Sequence, residues 1–300
     1  MIRQHYPRAW QHLQNAMRIN GEMAAAWNAA LDDHLVDDMV VTDRDGAGRI
    51  VVYADWPPGR RHALTNQFRA CVDELWQCLD LLVIETVETF SIRQRRCNPD
   101  RPRFFPVADS PDGFTALLEE SCLDGVLTDQ AQLVHACQPF HSRFGVDWID
   151  RPCDGIRRLL AWSGALDDDA RISAWATPVD PQIHAEPPAM VEHVEAAEPG
   201  EITTERVVAR YQLRNYRPGF DVAGQAGTYV DICLDHDRAP PHVDDTFAQR
   251  LTEVIDAVAR IAATFSAIAN RIPGPRRIPT HDRPDATDTW IPATQSARRW

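Results

Sequence analysis

Lysine is absent from this sequence. All 31 basic residues of the 300-residue chain are arginine. Without a side-chain amine, neither a Schiff-base lysine nor a phosphate-loop lysine can operate. Isopeptide tagging and acetylation have no lysine to modify. Two origins are open: codon pressure in a GC-rich genome, which the abundant Ala, Arg, Asp, Pro and Val fit, or selection against such tagging.

Other absences narrow the chemistry further. Apolar runs are short, and none approaches the roughly 20 residues of a membrane-crossing helix. The start, Met1-Ile-Arg-Gln-His-Tyr-Pro7, lacks the basic-then-apolar pattern of a secretion signal, so a cytoplasmic protein is expected. The seven cysteines include no Cys-x-x-Cys pair, which points to small buried hydrophobes in a reducing compartment rather than a zinc site. Gly-x-Ser-x-Gly, Gly-x-Gly-x-x-Gly after a strand and His-Glu-x-x-His are all missing, so common hydrolase, dinucleotide and zinc-protease readings have no support. No cofactor is implied. With 31 basic against 44 acidic residues the chain carries −13, which disfavours a whole-surface nucleic-acid binder and leaves only a local patch open.

The residues that are present pattern an α+β protein. Trp10, Leu13, Met17, Met23, Trp27 and Leu31 predict a helix over 7–33. Val36–Thr42 and Arg49–Trp56 read as a hairpin closed by Asp43-Arg-Asp-Gly-Ala-Gly48. Leu64, Phe68, Cys71, Val72, Leu75, Leu79, Leu82, Val83 and Val87 predict a helix over 61–90, roughly 45 Å long at 1.5 Å per residue. Shorter helices are expected near 112–121, 128–138 and 154–166, and strands at 172–177, 204–213 and 228–234. The Pro- and Glu-rich stretch 180–201 reads as an acidic loop. Phe247, Leu251, Val254, Val258, Ile261 and Phe265 mark a last helix over 244–270. The expected architecture is a bundle of three long helices flanked by small antiparallel strands. It forms a single domain over 1–271, followed by a disordered Pro- and Arg-containing tail over 272–300. The long helix could also span a homodimer interface.

The segment Leu64-Thr-Asn-Gln-Phe-Arg69-Ala-Cys-Val-Asp73-Glu74-Leu75 resembles a family of uncharacterised, mostly actinobacterial proteins. In that family the equivalent helix reads L-x-N-L-R-S-A-L-D-H-L. Phe105-Pro106-Val107-Ala-Asp109-Ser-Pro111-Asp-Gly-Phe114 is similar to its F-P-I-x-D-x-P-x-x-F segment, and Gln138-Pro139-Phe140 to its Q-P-Y. Asp168-Asp169-Ala170-Arg171 stands where the family has a D-K-H-R-like signature. The helix also looks like the Arg-x4-His motif of HEPN domains, many of which are metal-independent ribonucleases. In that chemistry Arg holds a phosphate and His moves the 2′-hydroxyl proton. The resemblance makes Arg69, Asp73 and Glu74 the candidate catalytic set. Glu74 replaces the His, and a carboxylate repels phosphate unless protonated. A catalytically degenerate binding or scaffold module is therefore the leading expectation, with a protein partner. The alternative is a divergent ribonuclease or toxin-like enzyme of a mobile-element or phage-defence locus.

Arg93, Arg95, Arg96, Arg101 and Arg103 lie beside Phe104 and Phe105. Basic and aromatic residues interleaved in this way suit single-stranded RNA; the competing reading is a solvated loop balancing an acidic protein. His184, Glu186 and His193, and His236 and His242 around Asp235 and Asp237, could suit a divalent ion, but as loop residues they lack a supporting scaffold, so no metal is expected. Three consecutive acids, Asp167–Asp169, sit oddly at the negative end of a helix.

Overall fold

A computed structural model describes residues 5–90, 102–120, 122–141, 150–234 and 245–271. The element order is α1 (Pro7–Asp32), β1 (Val36–Thr42), β2 (Ala47–Ala54), α2 (Arg60–Phe90), α3 (Pro111–Glu119), α4 (Thr128–Ala136), a 3-10 turn (Pro139–His141), α5 (Asp150–Asp167), β3 (Ile172–Pro178), β4 (Gln182–Ala185), β5 (Met190–Ala196), β6 (Gly200–Ile202), β7 (Glu205–Arg214), β8 (Val222–Gln225), β9 (Thr228–Leu234) and α6 (Phe247–Ala269). The fold is α+β with antiparallel sheets.

Helices α1 and α2 lie antiparallel: Tyr6 meets Thr86 at one end, and the Cys71 thiol reaches the Ala16 carbonyl further along. Pro7 opens α1 where a missing N–H costs nothing, but α1 has no side-chain cap of its own. Glu85 of α2 supplies one. Its carboxylate accepts from the backbone N–H groups of Arg8 and Ala9, both at 3.1 Å. The apolar stripe of α2 is covered within the same chain by α1, α5, α6 and β3. Helix α5 approaches α6 closely at Gly155, where a Cβ would lie 2.4 Å from that of Ala257. The start of α6 carries a capping box of Thr246 and Gln249, and Asp231 of β9 accepts from Phe247 N–H at 2.8 Å.

The strands form three sheets, ordered β1-β2-β7-β5, β6-β3-β9 and β4-β8. Ile50, Val52, Ala209, Tyr211 and Leu213 turn one face of the largest sheet into the core. The loop expected over 180–201 is instead three strands, β4, β5 and β6. Its Pro and Glu content suppresses the strand signal. A register shift between Val191 and His193 also breaks the alternation that would betray β5.

The two short segments that carry the family resemblance beyond α2 meet at one fully buried side chain. Gln138 Oε1 accepts from Ala108 N–H at 3.0 Å, and its Nε2 donates to the carbonyls of Pro106 at 2.8 Å and Val134 at 2.9 Å. The amide thus pairs with the 105–108 strip as a neighbouring strand would. Asp80 of α2 accepts from Phe105 N–H at 2.9 Å and ties the same strip to the long helix.

Candidate functional site

Arg69 leaves α2 toward the end of α5. Its guanidinium donates to the Leu166 carbonyl at 2.7 Å. That carbonyl belongs to the last turn of α5, whose closing oxygens lack helical partners. The turn closes with Ala170 N–H on Ala165 O at 3.0 Å and Asp169 N–H on Leu166 O at 3.3 Å. Asp169 occupies the left-handed region at φ 63°, where an acid replaces the usual glycine. Asp167, Asp168 and Asp169 are exposed, so three negative charges gather at the negative pole of the helix. Arg69 brings a positive charge to the Leu166 carbonyl at that end of the helix. The D-K-H-R-like stretch is therefore a helix terminus, with Ala170 buried.

Glu74 points elsewhere. Five residues on, a side chain is turned roughly 140° around the helix, and Glu74 faces α1. His12 Nδ1 lies 2.6 Å from Glu74 Oε2, and Asn15 Nδ2 lies 3.4 Å from each carboxylate oxygen. Both partners are partly open, with 32 % of the His12 side chain and 24 % of Glu74 accessible. The structure thus brings an imidazole to position 74 from a neighbouring helix. His12 and Asn15 have no spacing signal in the sequence, because their partner is 62 residues away. Asp73 is exposed. Arg69 and Glu74 thus reach different helices: Arg69 serves α5, and Glu74 serves α1.

Arg103 is half-buried, while Arg93, Arg95, Arg96 and Arg101 lie outside the described residues. So do His236, His242 and the 272–300 tail. His184 and His193 are exposed on β4 and β5 rather than on a loop. Among the described residues no group of three or more His, Cys, Asp or Glu side chains could hold a metal ion, and no helix is long and apolar enough to cross a membrane.

No family model, curated protein or solved structure matches this chain. The site must be read from its own geometry. One concavity of about 130 Å³ lies between α1 and the start of α6, lined by Met23, Trp27, Asp231 and Phe247 among others. A shallower one of about 340 Å³ rests on Ala248, Gln249, Thr252 and Glu253. Neither includes Arg69, Asp73 or Glu74. The first is well below the roughly 300–1,000 Å³ of ordinary ligand sites.

The described thiols offer no nucleophile either. The six described cysteines are buried, and none forms a disulfide. Burial pushes Cys71, Cys78 and Cys137 up to about 12, and Cys122 up to about 11. A nucleophilic cysteine needs a depressed value and access, and these four have neither.

Proposed function

We propose that this protein is a non-catalytic binding or scaffold module in which a HEPN-like helix has been given structural work. The carrying observation is that the two motif positions serve different helices. Arg69 donates to the end of α5, and Glu74 is held by His12 and Asn15 of α1. A metal-independent ribonuclease needs its phosphate-holding cation and its proton carrier at one scissile phosphate. The long helices α1, α2 and α6, packed as a bundle, are then the rigid support from which other surfaces are presented. The six described thiols, none of them in a disulfide, suit a reducing, cytoplasmic setting.

A second reading rests on one contact. The partly exposed His12–Glu74 pair supplies the imidazole that position 74 lacks, and such a pair can move protons. Incubation of the full chain with labelled RNA in EDTA separates the two. The scaffold reading expects intact RNA from the wild type. Cleavage that is lost in both His12→Ala and Arg69→Ala would overturn it.

A further inference from the structure

The outer face of the sheet β1-β2-β7-β5 is laid out in three rows. The register places Asp37, Tyr53 and Glu205 side by side, then Met39, Val51 and Val207, then Val41, Arg49, Arg210 and Glu195. The face is therefore acidic at one end, apolar across the middle and basic at the other. Among the described residues Asp37, Met39, Arg49, Tyr53, Glu205 and Arg210 are exposed, Val41 and Val207 are half-buried, and Val51 at the centre is buried, 4 % accessible. Met39 is 50 % accessible and Tyr53 37 %, and Met190 at the sheet edge is 62 % accessible. One-sided exposure is ordinary for an antiparallel sheet; what distinguishes this face is opposite charge at its two ends with Met39 open between them.

The charges are placed at a cost to the isolated chain. Arg49 and Arg210 stand directly opposite each other in the ladder, an arrangement that repels. Neither makes an ion pair or side-chain hydrogen bond among the described residues. Only Glu195, across from Arg210 on β5, offsets the positive end. At the other end Asp37 and Glu205 flank Tyr53 on the adjacent strands, with no arginine among them.

We propose that this face binds a second copy of the chain, sheet on sheet. A two-fold axis lying in the interface, across the strands and through the Met39–Val51–Val207 row, lays each basic row over the partner's acidic row. The apolar rows meet at the centre. Such a contact is isologous and closes at two subunits. Aligned sheets pack about 10 Å apart, close enough for Arg to reach a facing carboxylate. Four strands of about eight residues give a footprint of about 19 Å by about 26 Å. That outline, about 500 Å², is below the roughly 800 Å² per partner of a standard interface and suits a weak, reversible pair. A basic or acidic partner of one sign would satisfy only one end of the face, whereas a second copy satisfies both. The pairing does not depend on whether α2 is catalytic.

Light scattering on the full chain tests this with two row-reversed variants. In Arg49→Glu/Arg210→Glu both outer rows are acidic; in Asp37→Arg/Glu205→Arg both are basic. The wild type is expected at twice 33.9 kDa. Each variant alone is expected to stay at one chain, and an equal mixture of the two to return to the dimer mass, because acidic rows then face basic rows. Restoration by mixing also shows that both variants are folded. Three results overturn the proposal: a wild type that stays at one chain up to about 100 µM, variants that dimerise alone, or a mixture that does not associate.

Discussion

Replacing Glu85 removes the one side chain that caps α1 among the described residues. The carboxylate is 4 % exposed and receives two backbone N–H groups, plus the Arg8 Nε at 3.2 Å. Net hydrogen bonds to a charged group are worth about 1.5–3 kcal/mol, and an N-cap replaced by Ala about 1 kcal/mol. The two backbone bonds share one carboxylate and do not add in full. Arg8 is half exposed, so its ion pair contributes little. Glu85→Ala is therefore expected to cost about 3–5 kcal/mol. Glu85→Gln keeps one acceptor but turns an NH₂ toward the other donor, and should cost about 2 kcal/mol. Urea unfolding followed by far-UV circular dichroism measures both, and hydrogen exchange should show early opening of the first turn of α1. Glu85→Ala within about 0.5 kcal/mol of wild type, or Glu85→Gln as damaging as Glu85→Ala, would refute the capping argument.

Two further outcomes follow from the same packing. The six described thiols are expected to stay silent to an aromatic disulfide reagent in the native protein and to react on unfolding; more than one fast thiol among the chain's seven would contradict their burial. Burial and the neighbouring His135 ring lower the His141 pKa, and His141 Nε2 is buried with no hydrogen-bond partner among the described residues. The unfolded chain then binds the proton more readily. Stability should be full above an unfolded value of about 6.5 and decline as pH falls through the lowered folded value. Melting temperatures from about pH 7.5 to about pH 5 should show that decline flattened in His141→Phe, and an unchanged slope would exclude His141 as its source.

The α+β class and the hairpin from Val36 were legible because local patterns carry them: a 3–4 apolar stripe for α2, and β-branched runs around a Gly-containing turn. Strands β4, β5 and β6 were not legible. Their residues are mostly exposed and interrupted by Pro187 and Pro188, so neither alternation nor burial marks them. The odd acids at Asp167–Asp169 were visible in the sequence, but the bond from Arg69 to the Leu166 carbonyl, across 97 residues, was not. Motif spacing put Arg69 and Glu74 on one helix. It could not say that each faces a different neighbour, because that depends on where α1 and α5 dock. His12 was missed for the same reason.

The most direct test of the structural reading of α2 is the unfolding free energy of Arg69→Met, which keeps the apolar stem and deletes the guanidinium. Loss of a charged donor to Leu166 O, beside three acids at a helix end, predicts a loss of about 2 kcal/mol. A residue reserved for phosphate would instead leave stability unchanged or raised, so a value within about 0.3 kcal/mol of wild type, or above it, would contradict the account.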